Sequence, residues 1–250
     1  MNRRHAITTM SAVGVATMFT GETAMAQETK SVAIIGTGRM GGAFGAAFTR
    51  LGYKVTFGSR NPADDKVKAL LGATPGSSAA SPKDAAAAAS IVVIATPWTG
   101  TEAAIKSMGD LTGKVILDPT NAISFGKGGS GMAVDTSGGE MVQGWATGAK
   151  VVKAFNTVGY FVIADPKTLD GKVACFLASD DAEAKARTTE LVTAMGFEAV
   201  DVGPMKNARV LEGMSLLYMV PYFGGKQDQR FEWAVRRSGG VKLGPVRSAG

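Results

Sequence analysis

The sequence predicts an α/β protein built on a doubly wound parallel sheet, and three observations lead to this fold class. Residues 31–60 have the pattern strand, glycine turn, helix and second strand. Ile91 to Ala95 is a continuous apolar run, which is typical of a strand buried on both faces of a parallel sheet. Further apolar strands then alternate with helical patterns, and this alternation favours parallel strands joined by helices.

The boundaries of the elements follow from hydrophobic period, caps and breakers. Gly52 ends the first helix, and Ser81-Pro82 provides an N-cap and a first-turn proline for the third. Strands are expected at 32–35, 53–57, 73–78 (a poor edge strand), 91–95, 114–118, 150–155, 173–178 and 197–202. Helices are expected at 40–51, 64–71, 81–89, 101–108, 140–146, 182–195 and 207–218. The glycine-rich stretch 124–137 is expected to be a mobile loop near the site.

A G-x-G-x-x-G pattern, residues 36–41, lies between the first strand and the first helix, and in this context it indicates a dinucleotide site. Gly36 permits the tight turn, Gly38 lets the backbone approach a pyrophosphate, and Gly41 lets the helix pack closely on the strand. The pyrophosphate then lies at the helix N-terminus, where free N–H groups and the helix dipole favour an anion.

The end of the second strand indicates which nucleotide binds. An NAD site usually has Asp or Glu there, but residues 58–61 contain no carboxylate. Ser59 can donate a hydrogen bond to a phosphate oxygen, and the planar guanidinium of Arg60 suits a phosphate. Arg39 can add a second cation. The sequence therefore predicts NADP(H), with a solvated turn and a chance arginine as the alternative.

The first 26 residues predict a secretory signal. They contain a charged start, a mildly apolar run and the cleavage pattern Ala24-Met25-Ala26, and they are too short and too polar to span a membrane. Arg3-Arg4 favours the twin-arginine route, with Sec export as the alternative, and a periplasmic or secreted location. The expected units are thus the signal at 1–26, a nucleotide-binding domain at 27–222 and a loosely held tail at 223–250.

Composition excludes several kinds of chemistry. The formal charge of +6 is scattered rather than clustered, which disfavours nucleic-acid binding and suits a phosphate-bearing ligand. Without residues 1–26 the chain has no histidine, and its one cysteine, Cys175, lies in an apolar strand as a buried thiol. Disulfides, histidine or paired-cysteine zinc sites and histidine-based catalysis are therefore not expected.

Ligands of doubly wound sheets bind beyond the carboxyl ends of the strands, so the polar strand-end loops should meet on one rim. Trp98 and Phe155 could shape the pocket wall, with ordinary packing as the alternative. Asn121 and Asn156 could orient a carboxamide or the acceptor, with strand-end turns as the alternative. The expected cofactor-binding residues are Gly36, Thr37, Gly38, Arg39, Met40, Gly41, Ser59, Arg60, Asn61, Thr96, Pro97, Trp98, Asn121, Ala154 and Asn156.

At these rim residues the chain resembles the NADP oxidoreductases that use the deazaflavin coenzyme F420, and it is similar to the NADPH-oxidising domain of membrane ferric reductases. The matching runs, in order from residue 31 to about 220, are GTGRMGGAFG, GSRN, ATPW, DPTN, VVKAFNTVG and DVGPMKNARVLE. The resemblance implies a Rossmann domain in which residues 37–40 hold the pyrophosphate and the 2′-phosphate region. It implies that Ser59 and Arg60 take the 2′-phosphate and that Thr96, Pro97 and Ala154 line the nicotinamide pocket.

The activity implied is an NADP(H)-dependent oxidoreductase that transfers a hydride between NADPH and a small flavin or deazaflavin (F420-like) acceptor. Such a transfer needs stacking and orientation but no catalytic acid or base, and no metal, because the cofactors carry the chemistry. Two alternatives stay open: a 3-hydroxyacid or imine-type dehydrogenase, and a non-catalytic NADPH-binding partner of a membrane reductase. A homodimer is also open.

Overall fold

A computed structural model of the chain describes residues 30–126, 129–223, 230–237 and 239. The expected export signal at 1–26 lies outside these residues. The strands are β1 (Ser31–Ile35), β2 (Lys54–Gly58), β3 (Ser78–Ala80), β4 (Ile91–Ile94), β5 (Val115–Asp118), β6 (Ile123–Gly126), β7 (Gly129–Met132), β8 (Lys150–Lys153), β9 (Ala174–Leu177) and β10 (Glu198–Asp201). The helices are α1 (Arg39–Arg50), α2 (Asp65–Ala73), α3 (Pro82–Ala87), α4 (Trp98–Lys106), α5 (Gly138–Trp145), α6 (Tyr160–Ala164), α7 (Ala182–Ala194) and α8 (Ala208–Phe223).

Six strands form the central sheet in the order β3-β2-β1-β4-β5-β8, and each neighbouring pair is parallel. The chain builds outward from β1 to β3 on one side and then crosses over to β4 and continues outward on the other. The direction therefore reverses between β1 and β4, and this reversal is where doubly wound sheets bind ligands. The predicted fold class is confirmed.

Helices cover both faces of the sheet because the central strands are apolar on both faces. Val32 and Ile34 of β1 pack in one buried cluster with Phe44 of α1. Ala33 and Ile35 point to the opposite face and pack in a second buried cluster with residues of α3, α4 and α5. Strands with two apolar faces cannot lie at the surface, so they occupy the middle of the sheet.

The last two strands form a separate sheet. β9 and β10 pair in parallel with each other, and a single antiparallel bridge between Lys153 and Ala178 connects this pair to β8. The chain turns sharply after β8 at Phe155, a non-glycine residue with a φ of 63°. Because side chains other than glycine rarely adopt this conformation, the sequence does not reveal the turn.

Several local predictions differ from the structure. The stretch 124–137 was expected to be a loop, but β6 and β7 pair there as antiparallel strands. Its glycines carry no side chains and so hide the alternation that identifies a strand. The edge strand expected at 73–78 is the shorter β3, and α2 continues past Gly72. α6 was not predicted, and α8 extends beyond Tyr218 to Phe223.

The described part of the tail, residues 230–237, contacts the body of the protein. The backbone N–H of Ala174 donates to the carbonyl oxygen of Trp233 at 2.7 Å. Glu232 accepts hydrogen bonds from the Gly159 N–H (3.1 Å) and the Tyr218 hydroxyl (2.9 Å). Among the residues that the structure describes, no helix is long and apolar enough to cross a membrane.

Candidate functional site

A cavity of about 330 Å³ lies at the carboxyl ends of β1, β4 and β5, beside the point where the strand order reverses. Three strand-end segments line it, and they were all expected on this rim or next to it. The expected site residues that the structure brings together here are Gly38, Arg39, Met40, Thr96, Pro97, Trp98 and Asn121. A second cavity of about 330 Å³ lies near Ser31 and Ile91, where β1 and β4 begin, and holds none of the expected residues.

The glycine turn after β1 has open space for a ligand at Gly38, whereas Gly36 and Gly41 are closely packed against the protein backbone. A Cβ atom on Gly36, whose φ is 120°, would lie 2.3 Å from the carbonyl oxygen of Ala95. A Cβ atom on Gly41 would lie 2.1 Å from the carbonyl oxygen of Gly36. A Cβ atom on Gly38 would have no neighbour within 4 Å. Gly36 and Gly41 therefore allow close packing of the turn, whereas Gly38 faces open space.

The first turn of α1 offers backbone donors to this open space. Gly38 is the N-cap and provides no side-chain cap, and the first turn contains no acidic residue. A helix N-terminus with free N–H groups attracts anions. Arg39, the first residue of α1, is exposed, and its guanidinium carbon lies 5.7 Å from the centre of the Tyr160 ring. This end of the cavity therefore suits a pyrophosphate.

The turn after β2 lies next to the glycine turn. The Gly36 N–H donates to the carbonyl oxygen of Gly58 at 3.2 Å, and the Asn61 N–H donates to Ser59 Oγ at 3.2 Å. Arg60 is exposed, and no ion pair involves it among the residues described. Its guanidinium is thus available to a phosphate placed beyond the end of β2.

A buried ion network lies behind the cavity wall, and sequence reasoning missed it. Lys153 Nζ lies 3.0 Å from Asp118 Oδ2 and 2.7 Å from Glu212 Oε1, and all three side chains are fully buried. The same ammonium donates to the carbonyl oxygen of Thr120 at 2.5 Å. Burial alone would lower the pKa of Lys153, but the two carboxylates outweigh burial and hold that pKa above its ordinary value.

Asp118 caps the turn after β5 and also joins the ion network. Its Oδ1 accepts hydrogen bonds from the N–H (2.9 Å) and the hydroxyl (2.6 Å) of Thr120, which lines the cavity. The sequence did contain a weak signal for the network: Lys153 follows two valines in an apolar strand, and Glu212 follows Val210 and Leu211 in the last helix. Isolated charges of opposite sign in apolar elements are usually paired when buried.

Glu212 connects the last helix to three other parts of the chain. Its carboxylate accepts hydrogen bonds from the N–H groups of Ala122 (3.1 Å), Gly138 (2.9 Å) and Gly139 (2.9 Å). A Cβ atom on Gly138 would lie 3.2 Å from both carboxylate oxygens, so a side chain there would crowd this approach. With the Lys153 ammonium as a fourth donor, the buried carboxylate is fully satisfied.

Two of the expected site residues lie behind the cavity wall. Ala154 is fully buried, and its N–H donates to the carbonyl oxygen of Asp118. Asn156 is 5% exposed, and its Nδ2 donates to Asn121 Oδ1 (3.0 Å) and to the carbonyl oxygen of Leu211 (2.9 Å). Asn156 Oδ1 is buried without a hydrogen-bond partner. Asn156 therefore supports Asn121, which reaches the cavity itself.

The aromatic residues expected at the wall divide into two groups. Trp98 begins α4, lines the cavity and stacks on Trp145, with the ring centres 5.5 Å apart. Phe155 is buried in the core, edge-on to Phe44 and Phe197. Phe155 therefore has an ordinary packing role, which was the alternative to a place in the pocket wall, whereas Trp98 is part of that wall. Burial raises the pKa of the Cys175 thiol to about 12, as expected for an unreactive cysteine.

The lining of the cavity suits a ligand that has a planar ring at one end and phosphate groups at the other. Arg39 is the one ionisable residue among those that line it. In the described part of the chain, no group of three or more His, Cys, Asp or Glu residues is placed to hold a metal ion. The arrangement can bind anions at one end and a flat, uncharged ring between residues 96–98 and 119–121.

The chain is similar to known NADP-dependent oxidoreductases. Residues 31–122 match the family model described as NADP oxidoreductase, coenzyme F420-dependent. The F420-dependent NADP reductase of Methanothermobacter thermautotrophicus is 30% identical over 205 residues, which cover 75% of this chain and 87% of that enzyme. The rat metalloreductase STEAP3 is 27% identical over 192 residues, or 76% of this chain, but this chain spans only 37% of that relative's length.

A solved structure shows the same likeness in three dimensions. It is a protein from Arthrobacter, provisionally assigned as an F420-dependent NADP reductase, with 30% sequence identity to this chain. The superposition covers 82% of this chain and 99% of that protein, with a TM-score of 0.74. The similarity therefore extends over nearly the whole of that protein.

Proposed function

This chain belongs to the NADP oxidoreductase family that depends on coenzyme F420, and on that premise we propose that it transfers a hydride between NADPH and a flavin or deazaflavin. The chain is an NADP-dependent oxidoreductase, and the identity of its acceptor is the part proposed. One observation carries the proposal: the cavity at the strand reversal is lined by apolar, aromatic and uncharged polar residues, with Arg39 as its one ionisable side chain. Such a lining suits two stacked rings rather than a proton transfer.

The proposed placement of the nucleotide follows the strand ends. The pyrophosphate lies against the open space at Gly38 and the first N–H groups of α1. The 2′-phosphate lies against Ser59 and Arg60, and Arg39 adds a second cation from the glycine turn. The nicotinamide lies between the segments 96–98 and 119–121, where Trp98 provides an aromatic surface.

The chain's own residues hold and orient the two rings, because bound NADPH supplies the hydride itself. Stacking brings carbon 4 of the nicotinamide close to the accepting ring atom, which is N5 of a flavin or C5 of a deazaflavin, and excludes water from between the two rings. The bulk of the wall comes from backbone and uncharged side chains, so no residue there is required to take up or release a proton near neutral pH.

A panel of acceptors tests the proposal. The purified protein, without residues 1–26, is mixed with NADPH and with F420, FMN, FAD or riboflavin, and NADPH oxidation is followed by absorbance. We expect oxidation with at least one of these acceptors. Binding of NADPH without oxidation by any acceptor would favour the non-catalytic partner, and oxidation only with imines or 3-oxoacids would favour the dehydrogenase alternative.

The proposed location is the periplasm or the exterior, on the basis of the pattern in residues 1–26. The N-terminus of the exported protein should be Gln27, which N-terminal sequencing of the periplasmic fraction would detect. If the twin-arginine route is used, replacing Arg3 and Arg4 with lysine should block export. Unimpaired export of that variant would indicate the Sec route, and an intact N-terminus in the cytoplasm would contradict the signal.

A further inference from the structure

We propose that Glu212 is a positioning residue for the nicotinamide end of the cavity, although it lies in the last helix and does not line the cavity. The inference rests on the proposed placement of the nucleotide. Glu212 is fully buried, and its carboxylate accepts hydrogen bonds from donors in three separate parts of the chain. Two of these parts support opposite sides of the space in which the nicotinamide lies.

On one side, Glu212 fixes the turn after β5. Its Oε2 accepts from the Ala122 N–H, immediately after the lining segment 119–121. Its Oε1 holds the ammonium of Lys153, and that ammonium in turn donates to the carbonyl oxygen of Thr120. The lining segment is therefore held at its middle and directly after its end by a chain of hydrogen bonds that includes this carboxylate.

On the other side, Glu212 fixes the start of α5. The N–H groups of Gly138 and Gly139 donate to its two oxygens, and a carboxylate at a helix N-terminus is also favoured by the helix dipole. A Cβ atom on Gly138 would lie 3.0 Å from the Trp98 ring, so the start of α5 contacts this wall of the cavity directly. Trp145, near the end of α5, stacks on the same ring.

One carboxylate thus sets the distance between the segment 119–121 and Trp98. Hydrogen bonds to a buried charge have a narrow range of length and direction, so they specify a geometry that apolar packing alone would leave adjustable. The neighbouring Leu211 also helps to fix the segment 119–121. Its carbonyl oxygen accepts a hydrogen bond from the Asn156 side chain, which in turn donates to Asn121 at the cavity. The effect should be confined to the nicotinamide end, since the polar partners of the Glu212 carboxylate in the described part of the chain are Ala122, Gly138, Gly139 and Lys153, and none of them belongs to the turn after β2.

The Glu212→Gln variant tests the proposal because it keeps the size of the side chain. The donors that surround Glu212 bind both oxygens of its carboxylate, whereas glutamine has only one acceptor oxygen. The NH₂ group of glutamine would replace the other oxygen and would face N–H donors instead of accepting from them. We expect the dissociation constant for NADPH to rise by roughly tenfold. The constant for adenosine 2′,5′-bisphosphate, which lacks the nicotinamide, should stay within about twofold of the native value. Isothermal titration calorimetry measures both.

Glu140→Gln is the matched control. It makes the same change on α5. It also breaks the ion pair between Glu140 and Arg209 of α8, but that pair is partly exposed and neither residue lines the cavity. It should alter neither dissociation constant. If Glu212→Gln does not fold, Glu212→Asp keeps the negative charge beside Lys153 but shortens the side chain by one methylene, which displaces the same hydrogen bonds, and it should give the same difference between the two ligands.

Unchanged NADPH binding in the folded Glu212 variant would overturn the proposal. Equal weakening of both ligands would overturn it too, because that result indicates a general loss of structure rather than displacement of one end of the cavity. Failure of the native protein to bind adenosine 2′,5′-bisphosphate is a different outcome. It would contradict the proposed nucleotide placement and hence the proposed function itself.

Discussion

Lys153 Nζ lies 2.7 Å from Glu212 Oε1, and neither side chain is exposed to solvent. The pair joins the end of the central sheet to the last helix, immediately behind the cavity wall. Asp118 provides the second carboxylate, so the three side chains carry one positive and two negative charges. Each charge depends on the others, because an isolated ion in such a place would be very unfavourable.

Removal of the Lys153 ammonium should therefore lower the stability of the folded protein strongly. Lys153→Met leaves two carboxylates buried without their cation, and we expect the free energy of unfolding to fall by about 3–5 kcal/mol. Urea denaturation followed by circular dichroism measures it. Lys150→Met is the control on the same strand, because Lys150 pairs with Glu183 near the surface, and it should have little effect. Similar losses in the two variants would show that the buried network is not critical for stability.

Two glycines of the same turn should respond in opposite ways to alanine. Gly38→Ala should lower stability by no more than about 1 kcal/mol, because its Cβ atom meets nothing and only the N-cap preference for glycine is lost. It should weaken NADPH binding by about 10- to 100-fold by displacing the pyrophosphate. Gly36→Ala should prevent folding, because its φ of 120° and the Ala95 carbonyl oxygen at 2.3 Å exclude a side chain. Thermal melts and NADPH titrations separate the two effects.

Gly144→Ala is the control for these variants, since a Cβ atom there also has no neighbour within 4 Å but lies in α5, away from the glycine turn. It should fold and bind NADPH like the native protein. Normal NADPH affinity in Gly38→Ala would contradict the placement of the pyrophosphate at this turn.

Arg60 should determine the preference for NADPH over NADH. One charge-assisted contact to a phosphate contributes roughly 1.5–3 kcal/mol, so Arg60→Ala should weaken NADPH by about 10- to 100-fold. NADH lacks the 2′-phosphate, and its affinity should hardly change. Lys54→Ala removes an exposed cation from the other end of the β2 region and should leave both affinities unchanged. An equal loss for the two nucleotides would refute the assignment.

Glu232 should make the contact between the tail and the body depend on pH. Burial raises the pKa of Glu232 to about 7, although hydrogen bonds from Tyr218 and Gly159 oppose the shift, whereas the ordinary value is 4.5. The folded protein therefore keeps a proton that the unfolded chain has released. This contribution to stability is complete below about pH 4.5 and is lost as the pH rises to about 7.

The Glu232→Gln variant keeps the shape of the side chain and removes its titration. The melting temperature of the variant minus that of the native protein should therefore rise between about pH 4.5 and 7. Glu102→Gln, which changes an exposed carboxylate paired with Lys106 on α4, should show no such trend. A difference that stays constant over this range in Glu232→Gln would contradict the prediction.

The sequence predicted those parts of the fold that depend on local pattern. The run from Val32 to Ile35, the breaker Gly52 and the cap at Ser81 each act within a few residues, and the structure confirms the elements that they mark. The hairpin of β6 and β7 was missed because glycine carries no side chain to show a period. The turn at Phe155 was missed because a positive φ at a phenylalanine depends on packing against Phe44 and Phe197.

The sequence predicted the loops that line the candidate site, but not the buried residues behind the cavity wall that hold those loops in place. The glycine turn and the strand-end loops could be identified because parallel strands bring their carboxyl ends together. The link from Lys153 to Glu212 could not, because it joins residues that are far apart in the chain and only the packing of α8 brings them together. For the same reason the sequence did not show that Asn156 would support Asn121 from behind.

The central claim, direct hydride transfer from NADPH to a flavin or deazaflavin, is tested most directly by an isotope effect. NADPH carrying deuterium at one or the other prochiral position of nicotinamide carbon 4 is mixed with enzyme and an accepted flavin or F420 in a single turnover. The account predicts slower oxidation for one of the two labelled forms and an unchanged rate for the other, because the cavity presents one face of the ring. Equal rates for both labelled forms and unlabelled NADPH, at a chemistry-limited step, would contradict it.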